Sequence, residues 1–141
     1  MPRKMDAKPR PPERDYSHRS LLDKLGVKAD QRICVLGVED AAFLKELAAI
    51  VPSAAHGKLR NQSDLIFLCA NDLKTLARIK SLEPQMNRDG AIWVIYPKGQ
   101  KHIREADVMA AGKSAGLTDN KVCRFSETHT ALRFVIPLAR R

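Results

Sequence analysis

The chain has 141 residues, 44% hydrophobic and 29% charged, close to an average globular protein and of a length that fits one domain. That composition excludes a wholly disordered chain, a collagen-like chain and a disulfide scaffold. Net charge is +9, from 25 Lys and Arg against 16 Asp and Glu; six basic and three acidic residues fall in the first nineteen positions, so +3 belongs to that segment and +6 to the remainder.

Residues 1–19 hold four of the eight prolines (Pro2, Pro9, Pro11, Pro12) and almost nothing apolar. Such a segment buries too little surface to offset its ordering entropy. The sequence therefore predicts a mobile, proline-rich basic tail followed by a single domain over residues 20–141. No apolar segment in the first twenty residues suits a secretory signal. The longest apolar runs, residues 65–70 and 91–96, fall far short of the ~20 that a spanning helix requires. Cys34, Cys69 and Cys123 each lie in an apolar stretch, as buried reduced thiols do. A cytoplasmic protein with no membrane partner is the expectation.

From Ser20 onward the pattern is regular. Ser20 caps a short helix with Leu21, Leu22 and Leu25 on one side, closed by Gly26. Residues 32–37 read as a strand apolar at every central position, which a sheet covered on both faces requires. Glu39 and Asp40 open a helix carrying Phe43, Leu44, Leu47, Ala48 and Ile50, stopped by Pro52. A weak strand is expected near residues 54–56, then a continuous apolar strand over residues 64–70. Asn71 and Asp72 cap one helix through Leu73, Leu76, Ala77 and Ile79, bounded by Pro84. Residues 91–96 form another buried strand, followed by a basic loop and a helix whose apolar face is Ala106, Met109, Ala110 and Ala115, closed by Gly116. Residues 122–125 and 131–136, separated by only five residues, read as an antiparallel hairpin. The fold class predicted is a three-layer, Rossmann-like α/β domain with a mostly parallel sheet and a C-terminal antiparallel hairpin.

That order of elements resembles class I methyltransferases. The segment from Leu21 through Leu25, Gly26 and Val27 to Lys28 is similar to the helix and turn before a methyltransferase's first strand, and Gly90 to Ile95 to a later strand. A closer resemblance covers nearly the whole folded part. Its motifs are Tyr16-Ser17, Leu25-Gly26-Val27, Trp93-Val94 with Tyr96-Pro97-Lys98, Lys121-Val122-Cys123, Glu127-Thr128 and Leu132-Arg133-Phe134-Val135. They resemble a family of small bacterial α/β proteins catalogued as a domain of unknown function, which implies the fold and no assigned activity. The chain departs from that family at His129-Thr130-Ala131, where a Trp-Ser-Gly type segment is expected.

Adenosylmethionine binding calls for a glycine-rich turn after the first strand and an acidic residue after the second. Here the turn is Gly37-Val38-Glu39-Asp40, with one glycine, and the second strand is followed by His56-Gly57-Lys58. No cofactor is therefore expected, and a degenerate adenosylmethionine-dependent methyltransferase stands as an alternative. The leading expectation is a noncatalytic binding module for a small anionic ligand or a protein partner. Ligands of such sheets bind beyond the strands' carboxyl ends, so the candidate residues are Gly37, Asn71, Tyr96, Lys98, Gly99 and Lys101. The basic loop that holds the last three precedes a helix start, where free N–H groups suit an anion.

Nonspecific electrostatic nucleic-acid binding through the basic surface and tail is the other alternative, although aromatics are only 5%. A protein partner at the hairpin edge is also open. No Cys or His pair has metal-ligand spacing, so no metal is expected. Ser126, Glu127 and His129 are neighbours, but adjacency in a hairpin loop does not make a catalytic triad; turn and surface roles are expected of them.

Overall fold

The structure is a computed structural model that describes residues 20–141; the tail expected over residues 1–19 lies outside the described residues. Ser20 Oγ accepts the N–H of Asp23 at 3.2 Å, which starts α1 (Leu21–Lys24) and turns Leu22 inward. Buried Leu25 follows, and its carbonyl accepts the indole N–H of Trp93 at 3.0 Å. β1 (Ile33–Leu36) is buried along its whole length. Asp40 then caps α2 (Ala41–Ile50) by accepting the N–H of Phe43 at 2.9 Å. The short strand expected near residues 54–56 is β2 (Ala55–His56), and residues 57–62 lead from it, without a helix, into β3 (Ser63–Cys69).

The single helix expected after Asp72 is two short ones, α3 (Leu73–Leu76) and α4 (Ile79–Leu82), followed by a 3-10 turn at Glu83–Gln85. Leu76, Ile79 and Leu82 are all buried. A spacing of three aligns them most closely where the chain tightens locally toward 3-10 geometry. It does so through the N–H of Ala77 to the carbonyl of Lys74 and that of Arg78 to Thr75.

β4 (Met86–Pro97) starts well before Ala91. Met86 already pairs with Ser63, ahead of a register shift between Ser63 and Leu65; the polar run Asn87, Arg88 and Asp89 concealed that part of the strand.

The buried face of α5 (Glu105–Ser114) also differs from the expectation. Val108 and Gly112 are buried, and Ala111 and Ala115 pack beside them, while Ala106, Met109 and Ala110 face outward. The helix is turned this way because Gly112 lets it press on Phe134: a Cβ at Gly112 would stand 2.1 Å from that ring. The hairpin is as expected, β5 (Thr118–Arg124) and β6 (His129–Val135) pairing antiparallel.

The strand order is β2-β1-β3-β4-β6-β5, with β2, β1, β3 and β4 mutually parallel and β6 antiparallel to β4. Alternation along the strands divides the core between two faces. Trp93 and Ile95 pack with Leu22 of α1, Leu25 just after it, and Phe43 and Leu47 of α2. Ile92 and Val94 pack with Leu76, Ile79, Leu82 and Val108 of α3, α4 and α5 on the other. Helices thus cover both faces of one sheet, giving the three-layer, Rossmann-like architecture. The outer edge of β5 carries Lys121 and Arg124 and a register shift between Asp119 and Lys121, features that discourage edge-to-edge pairing. Among the described residues no helix is long and apolar enough to cross a membrane.

Candidate functional site

From β1 the chain passes to β2 on one side, then returns to β3 on the other. Loops leaving β1 and β3 diverge at such a switch point and open a crevice beyond the strands' carboxyl ends. The crevice here is a cleft of about 330 Å³. Its first wall is the turn after β1. Gly37 takes φ +77° there, a left-handed conformation that costs glycine little. Val38, Glu39 and Asp40 follow it along the wall. Asp40 does two things at once, since Oδ1 caps α2 and the side chain lines the cleft.

The second wall comes from the end of β3 and the loop after it, with Cys69 and Asn71. Burial pushes the Cys69 thiol pKa up, and the nearby Glu39 carboxylate adds to that. Asp72, next in the chain, faces its own helix. It accepts the N–H of Thr75 at 2.8 Å and the Thr75 hydroxyl at 2.7 Å, and these bonds hold its carboxyl below the usual range.

The third wall is the β5–β6 turn, through Phe125, Ser126, Thr128 and His129, with Ile95 of β4 at the base. The Ser126 and Thr128 hydroxyls are 3.3 Å apart, and Thr128 Oγ1 lies 2.8 Å from His129 Nδ1. His129 Nε2 lies 2.9 Å from Asn71 Oδ1, so the turn is joined to the β3 loop. Burial lowers the His129 pKa, with the Asp40 carboxylate pulling the other way. His102 reaches the same loop, its Nε2 2.9 Å from the Asn71 carbonyl.

Of the sequence candidates, Gly37 and Asn71 line this cleft together. Tyr96, Lys98 and Gly99 line a separate open groove of about 480 Å³, with Ile103, Arg104 and Val122. Lys101 lines neither. Tyr96 donates to Glu105 Oε1 at 3.2 Å, and burial, reinforced by that carboxylate, pushes its pKa up to about 12. Sequence reasoning missed the third wall, since Ser126 and His129 were expected only in turn and surface roles. The signal that finds them is topological: an antiparallel return strand begins where its parallel neighbour ends.

No Lys or Arg is among the described residues lining the cleft. The carboxylates among its described lining are those of Glu39 and Asp40. Nor does a group of three or more His, Cys, Asp or Glu suited to a metal occur among the described residues. His56, Gly57 and Lys58 lie off the cleft; Gly57 N–H bonds to the Val35 carbonyl at 2.8 Å, and the Lys58 carbonyl accepts from Cys34 Sγ at 2.6 Å.

No protein-family model matches the chain, and no curated protein matches it. Solved structures do. A SAM-dependent methyltransferase from Aquifex aeolicus superposes with a TM-score of 0.65 at 13% identity, over 82% of this chain and 87% of that one. Precorrin-6y C5,15-methyltransferase from Geobacter metallireducens GS-15 gives 0.61 at 9% identity, over 82% and 85%. Mitomycin 7-O-methyltransferase MmcR gives 0.60 at 8% identity, over 77% of this chain but only 50% of that one, so the chain spans about half its length. At such identities the likeness is one of fold. The chain has the Rossmann-like fold shared with class I adenosylmethionine-dependent methyltransferases.

Proposed function

We propose that this protein is a degenerate member of the methyltransferase fold that binds an adenosyl-type small molecule in the switch-point cleft. The observation that carries this reading is the Glu39–Asp40 pair, set directly after Gly37 in a cleft with no Lys or Arg among its described lining residues. A volume of about 330 Å³ falls within the ~300–1,000 Å³ of small-molecule sites. Carboxylates accept hydrogen bonds from ribose hydroxyls and attract a sulfonium or ammonium group. Val38, Ile95 and Phe125 supply apolar surface for a planar base. The residues thus fit the cationic and hydroxyl parts of adenosylmethionine. Its carboxylate fits less well, because Asp40 already occupies the start of α2. When bound, adenosylmethionine supplies an electrophilic methyl group; this chain's residues bind and orient.

The test is a thermal-shift and calorimetry series with adenosylmethionine, adenosylhomocysteine, adenosine and inorganic phosphate at fixed salt. A ligand of the folded state raises Tm in proportion to the logarithm of its concentration over Kd. The adenosyl compounds are expected to raise it, and Glu39→Gln or Asp40→Asn to remove most of the shift; Asn keeps the cap at position 40. A shift with phosphate alone would overturn this reading and favour a second one, an anion held at Lys98 and Gly99. That second reading draws on the groove beside those two residues, which Arg104 also lines.

A further inference from the structure

Ser126 Oγ accepts two backbone N–H groups, from Thr128 at 3.3 Å and from His129 at 3.1 Å. A hydroxyl has one proton and two acceptor positions. Both acceptor positions are taken, so the Ser126 proton is directed outward, to Thr128 Oγ1 at 3.3 Å. Thr128 Oγ1 then accepts the Ser126 O–H, and its own O–H is left to donate to His129 Nδ1, 2.8 Å away. A neutral imidazole that accepts at one nitrogen carries its proton on the other. His129 Nε2–H then donates to Asn71 Oδ1 at 2.9 Å.

Each link favours one setting among those that hydroxyl rotors, imidazole tautomers and amide orientations ordinarily keep. At the end of the chain the Asn71 amide has one assignment. Oδ1 is the acceptor, shared with the Cys69 thiol at 3.8 Å. The main-chain carbonyl of Asn71 is held separately by His102. Nδ2 meets no acceptor among the described residues. Burial favours the neutral ring at His129 that the chain requires.

The geometry points to a directed relay, Ser126 to Thr128 to His129, that fixes Asn71 with its amide N–H₂ group toward the cleft, where it recognises an acceptor atom on the ligand. Ser126, Thr128 and His129 are positioning residues in this arrangement, and Asn71 is the group that touches ligand. With Glu39 and Asp40 as acceptors and Asn71 as donor, the cleft takes a small polar molecule that presents hydroxyl or amine donors and one oxygen or nitrogen acceptor. This inference rests on the reading of the cleft as the ligand site.

Two measurements test it. The first is nitrogen NMR of the His129 imidazole near neutral pH, without ligand. The Nε2–H tautomer is expected in the native protein and in Thr128→Ser, which keeps the hydroxyl, and a loss of that preference in Thr128→Val. An Nδ1–H tautomer in the native protein, or an unchanged one in Thr128→Val, would overturn the relay. The second is calorimetric binding of adenosine and adenosylhomocysteine. Asn71→Leu is expected to weaken both by roughly tenfold, the worth of one hydrogen bond. Thr128→Val is expected to weaken them several-fold and Thr128→Ser to restore them. Native affinity in Asn71→Leu would overturn the recognition role. Absence of binding by the native protein would overturn the adenosyl-ligand reading and the recognition role together, while the tautomer still decides the relay.

Discussion

Pro97, the last residue of β4, stands directly opposite His129, the first residue of β6. Because β6 runs against its neighbour, its beginning is delivered to the sheet edge where the parallel strands end. The β5–β6 turn therefore faces the loops after β1 and β3, and the backbone N–H of Lys98 ties the far side of β4 to the Thr128 carbonyl at 3.0 Å. One antiparallel pairing gives the cleft a wall of hydroxyls and an imidazole that four parallel strands alone would not supply.

The contact between Gly112 and Phe134 supports the other side of the sheet. A Cβ at position 112 would lie 2.1 Å from Cε1 and 2.4 Å from Cδ1 of Phe134, and both residues are buried. We expect Gly112→Ala to destabilise the fold by about 1–3 kcal/mol despite the better helix propensity of alanine, since overpacking outweighs the ~1 kcal/mol that alanine gains in a helix. Urea unfolding of Gly112→Ala, and of Gly112→Ala combined with Phe134→Leu, checks this. The smaller ring-free side chain should recover part of the loss, and stability equal to native in the single variant would refute the contact's importance.

Trp93 couples α1 to the central strand. Its side chain is wholly buried, and among the described residues its indole N–H donates to the Leu25 carbonyl. Trp93→Phe removes that donor and leaves a cavity, with an expected cost of about 2–4 kcal/mol. Trp93 is the sole tryptophan, so native fluorescence reports its surroundings directly. Denaturant melts of the two proteins by circular dichroism would measure the cost; a difference below about 1 kcal/mol would mean that α1 is held by apolar packing alone.

Much of this fold is legible in the residues because local and global signals agree. Continuous apolar strands announce a sheet covered on both faces, and Ser20, Asp40 and Asp72 each sit one residue ahead of a helix and cap it. Legibility fails where a contact distant in sequence decides. Gly112 reads as a weak point in a helix until Phe134 is opposite it. Asn87, Arg88 and Asp89 carry no apolar strand pattern until Met86 is paired with Ser63. In the cleft, the places of Gly37 and Asn71 beyond the strand ends were accessible from the order of strands and loops. Thr128 and His129 were not, because their roles depend on register across β4 and β6 and on hydrogen bonds to a residue 58 positions away.

His129 should make stability depend on pH in one direction. Burial lowers its folded-state pKa below the ~6.5 of an unfolded histidine. The folded protein then binds fewer protons than the unfolded chain between those two values. Stability from this group is present above about pH 6.5 and declines as pH falls through the folded-state pKa. Asp40 moderates the effect by favouring the imidazolium. Urea midpoints of the native protein and His129→Gln, taken from neutral to mildly acidic pH, should converge as pH falls. A gap that widens toward acid would reverse the sign and refute a neutral, half-buried ring.

Tyr96 gives the opposite dependence at the alkaline end. Its phenol is buried and donates to Glu105, and its pKa is pushed up to about 12, against ~10 for a free tyrosine. A phenol whose folded-state pKa is raised holds its proton longer in the folded state. The stabilisation is therefore complete below about pH 10 and is lost as pH rises through the folded-state value. The chain has two tyrosines, so Tyr16→Phe isolates the signal of Tyr96 in an ultraviolet tyrosinate titration. We expect its midpoint well above that of a free tyrosine, and we expect Glu105→Gln to lower it, since the carboxylate raises the pKa both by charge and by accepting the hydroxyl proton. Desolvation remains the larger cause, so the Gln variant should keep part of the elevation. A midpoint unchanged by Glu105→Gln would mean that the phenol is raised by burial alone and that the bond closing the start of α5 onto β4 adds nothing to it.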